Sequence, residues 1–341
     1  MKIKVIVNPN AGKRTIQQRL EPIMGRLLYN GTIKMIDVTR TEFCGQAIDV
    51  AAKLSAQDYD LIIACGGDGT VNEVVNGIMQ SGSRIPIAIL GAGTSNDFAS
   101  ALGLPDNVDD FCAMVEQPKY KDVDIGCANG RYFINVAAFG MLTSVSHTTD
   151  QIQKNLLGKL AYYRNALREL PVQISNSMQL SIDAEGFHDE GSFHVCLVVN
   201  SMSVGSIRNL MYRADVSDGV LDVLLLKKER LIPTTGEIIR VIAKSGSTFY
   251  HLQPNEDGNG YSLKPTQNKK KEPAIIYFQT PSIKFSSPQN ESIITDLDGE
   301  KFGTLPLNIK VVPKAIKLML PSQAPDAIFH NVAWDRLSSI Y

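Results

Sequence analysis

Leu61-Ile62-Ile63-Ala64-Cys65-Gly66-Gly67-Asp68-Gly69-Thr70-Val71-Asn72-Glu73-Val74-Val75-Asn76-Gly77-Ile78 is the stretch on which the fold turns. Leu61–Cys65 is an apolar run of strand length, and Val71, Val74, Val75 and Ile78 recur at helical spacing. The glycines therefore stand at a strand-to-helix turn. Missing Cβ atoms there let a phosphate approach bare backbone N–H groups, and the helix N-terminus favours negative charge. Asp68 does not suit a bare phosphate, because two anions repel. It suits a metal ion, or a ribose or water in a metal's outer shell. The turn thus reads as a nucleotide site with a divalent ion. The structural alternative is a glycine-rich turn whose Asp and Thr cap the helix.

Outward from that turn, the first ~120 residues alternate strand and helix. Lys4–Val7 is an apolar strand that ends at Asn8-Pro9-Asn10-Ala11-Gly12-Lys13. Ile33–Val38 is a second strand, and Phe43–Leu54 is an amphipathic helix with Ala47, Val50, Ala51 and Leu54 on one face. Ile85–Leu90 is a fourth strand, running into Gly91-Ala92-Gly93-Thr94-Ser95-Asn96-Asp97-Phe98 and a short helix. This order predicts a parallel sheet covered by helices. Ligands on such sheets bind at the carboxyl ends of strands, where all three glycine- or asparagine-rich turns fall.

Beyond Pro118 the pattern changes. Tyr120–Cys127 and Arg131–Phe139 flank Asn129-Gly130, a hairpin signal. Ile152–Leu170 reads as a helix, and Ile232–Gly246 as containing another. The remainder reads as short strands: Val172–Ile182, Phe193–Val199, Val220–Leu226, Ile275–Phe278, Ile283–Phe285, Ile293–Leu297, Leu307–Val312 and Ala315–Leu320. Short strands separated by polar turns predict an antiparallel sandwich. Gln253–Glu272, with Lys269-Lys270-Lys271, reads as a solvated loop. Ser322–Tyr341 holds Phe329, Val332, Trp334 and Leu337, apolar residues that predict docking of the tail.

The chain has 341 residues, enough for two domains, with 44% hydrophobic and 20% charged residues, a globular composition. A net charge of −1 gives no bulk basic character for nucleic acid. No apolar run approaches the ~18 residues of a membrane span. Met1-Lys2-Ile3-Lys4 leads straight into a strand, without the pattern of a signal peptide. The five cysteines form no C-x-x-C pair and lie mostly in apolar contexts, so reduced thiols in the cytoplasm are expected.

Four motifs carry a resemblance to a known family. They are Gly66-Gly67-Asp68-Gly69-Thr70-Val71-Asn72-Glu73; Gly93-Thr94-Ser95-Asn96-Asp97-Phe98-Ala99; Ala214-Asp215-x-x-Asp218-Gly219-x-Leu221-Asp222; and Asp298-Gly299-Glu300. In this order and spacing the chain resembles the bacterial lipid kinases that share the diacylglycerol kinase catalytic domain, a superfamily that also holds sphingosine kinases. The resemblance runs from Asn8 to about Pro321. It implies a Rossmann-like nucleotide domain (1–120, with the tail 321–341 returning to it), then an antiparallel β-sandwich substrate domain (121–320). It also implies phosphorylation of a lipid hydroxyl by ATP and Mg²⁺ at the inner face of the membrane. Diacylglycerol going to phosphatidate leads; a sphingoid, ceramide-like or phosphatidylglycerol acceptor is the alternative. A nucleotide-binding regulatory protein without turnover is the competing class. A homodimer is expected from the general frequency of symmetric pairs.

By the same resemblance, Asn8, Gly66, Gly67, Asp68, Gly69, Thr70, Glu73, Gly93, Thr94, Asn96 and Asp97 form the nucleotide site, with Lys13 as a further cation. Asp298 is the expected general base, accepting the proton of the lipid hydroxyl. Glu300 stands beside it, to orient the base or to hold the catalytic Mg²⁺ with Asp68. An Asp-Gly pair between strands is equally an ordinary hairpin turn, and Asp296 is the rival base. Two carboxylates three residues apart before a glycine turn can wrap a hard cation. A second, structural Mg²⁺ is therefore expected on Asp215, Asp218 and the carbonyl of Val220. Phe139, Gly140, Met141 and Leu142 are candidates to line a lipid cleft between the domains. The chain departs from the family at Leu90-Gly91-Ala92, where a proline is common, and at Ser100, where an arginine is common. The polar insertion 253–272 is also longer than expected.

Overall fold

The computed structural model describes residues 1–140, 177–202, 214–228, 250–254, 261–265 and 275–322. In chain order the first elements are β1 (Lys2–Val7), α1 (Thr15–Tyr29), β2 (Met35–Arg40), α2 (Gln46–Ala51), β3 (Leu61–Gly66), α3 (Asp68–Ser81), β4 (Ile87–Gly91), α4 (Asp97–Ala101) and α5 (Val108–Glu116). Strands follow: β5 (Lys119–Ala128), β6 (Arg131–Phe133), β7 (Val136–Gly140), β8 (Met178–Ala184), β9 (Phe187–Val199), β10 (Leu221–Lys227), β11 (Tyr250–Pro254) and β12 (Tyr261–Pro265). The last are β13 (Ile275–Thr280), β14 (Ser282–Ser286), β15 (Ile294–Leu297), β16 (Glu300–Thr304) and β17 (Leu307–Leu320).

The chain divides into two compact units. The first comprises residues 1–125, 215–218 and the described residues from Pro313 onward; the second takes the described residues of 126–214 and 219–312. In the first unit the strands run β4-β3-β1-β2, all parallel, and Leu318 near the end of β17 pairs in parallel with Ile87 of β4. Ile3, Val5, Leu61, Ile63, Ala88 and Leu90 form one buried face of that sheet, against Ile16, Ile23 and Leu27 of α1 and Phe111, Met114 and Val115 of α5. β1, β3 and β4 are buried on both faces, which explains why they read as unbroken apolar runs, whereas β2 is a half-exposed edge. α1 carries Pro22 inside its span, which obscures a helical pattern in the sequence.

The second unit is antiparallel throughout its described pairings. β7 pairs β15 and β9; β9 pairs β8 and β10; β10 pairs β13; and β14 pairs β8 and the start of β17. Its core holds Phe133, Phe139, Phe193, Phe278, Phe285, Leu180, Ile182, Val198 and Val223. The expected architecture, an α/β domain followed by a β-rich one, is the architecture found.

Four local expectations change. Arg131–Phe139 is two strands, because the amides of Ile134, Asn135 and Val136 turn away from the ladder to a side chain, Asp298. The two strands expected at 307–312 and 315–320 form one, β17, across Pro313 and a left-handed Lys314 (φ 50°). Side chains replace the ladder bonds there: Lys314 N donates to Asp124 Oδ1 at 2.6 Å, and its carbonyl accepts from Arg84 Nη1 at 3.0 Å. Residues 250–254 and 261–265, the latter inside the expected loop, pair as an antiparallel hairpin. Phe139 is fully buried, with its ring edge-on to Phe285 at 4.7 Å, so it fills the core and lines no cleft. The helices expected at 152–170 and within 232–246, Met141, Leu142 and the tail beyond Ser322 lie outside the described residues.

Candidate active site

In the first unit, β3 delivers Gly66 and α3 begins at Asp68, with Gly67 extended as its N-cap (φ −87°, ψ −175°). The second glycine turn follows β4. The two turns meet backbone to backbone: a Cβ on Gly93 would lie 2.7 Å from the Cα of Gly67, and one on Gly67 would lie 3.1 Å from the Cα of Gly93. A side chain at Gly93 would collide with backbone, and one at Gly67 would fit only if the facing turn gave by a few tenths of an ångström. Ala92 N donates to Gly66 O at 2.8 Å, closing the contact. Gly69 is exposed, with nothing within 4 Å of a Cβ built on it, so one face of the first turn is open to an incoming group.

Polar side chains hold this pair of turns. Asn8 donates through Nδ2 to Thr70 Oγ1 at 3.2 Å, while its Oδ1 accepts from Asn10 N at 3.0 Å, tying the end of β1 to the start of α3. Asn96 is left-handed (φ 48°). Its Oδ1 accepts from Gly93 N at 2.7 Å and its Nδ2 donates to Gly93 O at 3.2 Å, so one side chain brackets the loop. Thr94 is exposed at its tip. Asp97 is buried at the first position of α4.

The two acidic residues of the first motif each receive backbone amides. Asp68 Oδ2 accepts from Asp97 N at 3.0 Å and Oδ1 from Phe98 N at 3.1 Å. The Asp68 carboxylate thus caps α4 and joins the two turns. Glu73 Oε1 accepts from Gly45 N at 2.9 Å and Oε2 from Ala47 N at 3.2 Å, which caps α2. Helix starts attract carboxylates for the reason that they attract phosphates: unpaired N–H groups and the positive end of the dipole. Glu73 is thereby turned toward the loop after β2 rather than the glycine turns.

Sequence reading missed Arg19 of α1. Its Nη2 donates to Gly91 O at 2.9 Å and its Nη1 to Asp106 O at 2.7 Å. No carboxylate pairs with it among the described residues, and its buried Nε makes no hydrogen bond. A positive charge therefore stands at the carboxyl end of β4. Only tertiary placement distinguishes it from other helix arginines. Burial pushes the thiol of nearby Cys65 up, partly offset by the charge of Arg19, so the thiol stays neutral.

In the second unit, Asp298-Gly299 is the turn of the β15–β16 hairpin, with both residues at positive φ (50° and 85°). That matches the ordinary hairpin geometry for an Asp-Gly pair. Its side chain has a further environment. Asp298 Oδ2 accepts from Ile134 N at 2.7 Å, and Oδ1 accepts from Asn135 N and Val136 N, both at 2.8 Å. Asp298 N donates to Val136 O at 2.9 Å. Three amides converge on one buried carboxylate and fix its direction. Asp296 Oδ1 accepts from Gly299 N at 2.7 Å, shaping the same turn. Glu300 pairs with Arg131 at 3.0 Å in a half-exposed ion pair. Asp298 thus receives three backbone amides from the β6–β7 break, which residue-type reasoning cannot see.

Asp215 Oδ1 accepts from Ser217 N at 2.9 Å and from Ser217 Oγ at 2.7 Å, leaving Oδ2 with no hydrogen bond from the described residues. An anionic oxygen at the start of a glycine turn suits a hard cation. Asp218 N donates to Asp215 O at 3.4 Å, and Gly219, at φ 78°, precedes Val220. Among the described residues no group of three His, Cys, Asp or Glu side chains is placed to hold a metal. No helix among them is long and apolar enough to cross a membrane.

Residues 2–128 match the diacylglycerol kinase catalytic domain model, and residues 135–243 the YegS C-terminal NAD kinase beta sandwich-like domain model. Diacylglycerol kinase of Staphylococcus saprophyticus is 31% identical over 94% of this chain and 95% of its own. Diacylglycerol kinase of Bacillus subtilis is 29% identical over 95% and 98%. A crystal structure from Bacillus anthracis superposes with a TM-score of 0.75 at 26% identity, over 95% of this chain and 96% of that one.

Proposed function

Because the chain belongs to the diacylglycerol kinase family of lipid kinases, we propose that it transfers the γ-phosphoryl group of ATP to the hydroxyl of diacylglycerol, giving phosphatidate. The observation that carries this is the backbone-to-backbone packing of the Gly67 and Gly93 turns at the ends of β3 and β4. Two bare-backbone turns and a helix start, with Gly69 open, suit the phosphates of a nucleotide. Asn8, Thr70 and Asn96 hold the turns in shape, and Thr94 is exposed to contact the ligand.

Phosphoryl transfer depends on alignment and charge neutralisation more than on covalent help. Mg²⁺, when bound, would supply that neutralisation on the phosphoryl oxygens. Asp68 is the carboxylate we assign to it, directly or through water, its orientation set by the two amides of α4. Asp298 accepts the hydrogen bond of the lipid hydroxyl and then its proton as the oxygen attacks phosphorus. Its three amides hold it fixed in direction. Glu300, which pairs with Arg131, follows that carboxylate two residues on in sequence. We assign a structural Mg²⁺ to Asp215, Asp218 and the Val220 carbonyl.

The test is transfer from labelled ATP to a panel of lipids in mixed micelles with Mg²⁺, for the wild type and Asp298→Asn. Label in diacylglycerol is expected, with kcat at least about 100-fold lower in Asp298→Asn and ATP binding retained. Label in another lipid would replace the substrate and keep the mechanism. ATP binding without label in any lipid would overturn the kinase reading.

A further inference from the structure

We infer that Asn200, assisted by Ser201, is a positioning residue that acts through the peptide groups holding Asp298. The inference rests on the proposed role of Asp298 as proton acceptor. Two peptide units donate to Asp298 Oδ1: the N–H of Asn135, whose peptide carbonyl belongs to Ile134, and the N–H of Val136, whose carbonyl belongs to Asn135. Both carbonyls accept from Asn200. Its Nδ2 donates to Ile134 O at 3.0 Å, and its backbone N donates to Asn135 O at 2.8 Å. Ser201 Oγ donates to Asn135 Oδ1 at 2.7 Å, holding the side chain of the residue whose N–H and C=O belong to the two peptides.

The result is two parallel chains running from Asn200 through a peptide to the same carboxylate oxygen. A donor at a peptide carbonyl polarises that peptide and strengthens the bond its N–H makes. The chain is dry: Asn200 is 1% exposed, Ser201 0% and Asn135 4%. All of these residues lie in the second unit. Sheet pairing alone explains only part of it. β7 and β9 are in register through Val136↔Val199, which accounts for the backbone bond of Asn200. It does not account for an amide side chain at that point, just past the end of β9, aimed at the neighbouring carbonyl.

The experiment combines kinetics with amide chemical shifts in the full-length enzyme. In Asn200→Ala, kcat for phosphoryl transfer is expected to fall about tenfold, the scale set by leaving a buried carbonyl without its donor, with KM for ATP and for diacylglycerol within about twofold. Ser201→Ala is the milder variant should Asn200→Ala fail to fold; Ser201→Thr, which keeps the hydroxyl, is expected to recover its rate. In the Asp298→Asn background either substitution should cost nothing further, because its effect runs through that carboxylate. In Asn200→Ala the N–H proton of Asn135 should move upfield, whereas that of Val136 should hold its position, because residue 200 keeps its backbone donor to Asn135 O. A loss that multiplies fully onto Asp298→Asn would mean a merely structural role and overturn the inference, as would unchanged kcat. Full turnover in Asp298→Asn alone would overturn the reading of Asp298, while the amide shifts would still decide whether Asn200 polarises its partners.

Discussion

Single residues in this protein do their work largely through backbone groups. Asp68, Glu73 and Asp298 are the acidic residues of the motif turns, and each carboxylate receives two or three main-chain amides. For Asp68 and Asp298 this orients a group that also suits chemistry; Glu73 instead accepts from Cys44, Gly45 and Ala47 at the start of α2. Glu73→Ala is therefore expected to lower stability by about 1–3 kcal/mol, the cost of orphaned buried amides, and to speed hydrogen exchange at Gly45 and Ala47. Glu73→Gln should recover part of it, since one acceptor oxygen remains. Unchanged exchange at both amides would show that the cap is dispensable.

The pairing of elements adds electrostatics that no single strand carries. β1 and β2 run parallel with Lys4 in register with Asp37. Asp37 Oδ2 accepts from Lys4 Nζ at 2.7 Å and from Tyr59 OH at 2.5 Å. The Lys4 hydrogen bond, then that of Tyr59, hold the Asp37 carboxyl below its ordinary value, and the same carboxylate pushes Tyr59 up to about 12. A carboxylate depressed by folding stabilises the fold above its unfolded pKa, near 3.8, and that contribution is lost as pH falls through the lower folded value. Tyr59 works in the opposite direction, its contribution fading between pH 10 and about 12. Acid unfolding followed from pH 6 to 2 should be shallower in Asp37→Asn than in the wild type. Superposable curves would remove Asp37 from the acid response. Its half-exposed position makes the effect small at high salt.

At the scale of the whole molecule, the chain passes between its two units at 125/126, around 215–218 and at 312/313. The proposed structural cation has Asp215, Asp218 and the Val220 carbonyl as its ligands. Chelation is expected to lower the melting temperature by a few degrees, about the shift from losing a ligand held well above its dissociation constant. Added Mg²⁺ should restore it in the wild type but not in Asp215→Ala. Equal melting of the wild type with chelator and with Mg²⁺ would remove the cation from the stability of the fold. The cysteines fit a chain without disulfides: Cys44 is exposed and the other four are buried, with burial pushing the Cys65, Cys112 and Cys196 thiols up.

Periodicity and glycine placement determined the parallel sheet, the strand-to-helix turns at Gly66–Thr70 and Gly91–Phe98, and the β-rich second half. Those are local properties: an apolar run and a missing Cβ show in the residues themselves. The hairpin at Asn129-Gly130 was legible for the same reason, both residues adopting positive φ. Tertiary structure alone decided where each carboxylate points, because the donors that receive Asp68, Glu73 and Asp298 are main-chain N–H groups, identical at every non-proline residue. It alone broke the strand at Ile134-Asn135, where those amides serve Asp298 instead of a neighbouring strand. It alone carried β17 through Lys314, where Asp124 and Arg84 replace the ladder. A sequence records which side chains are present; which backbone groups they meet depends on segments 26 to 230 residues apart coming together.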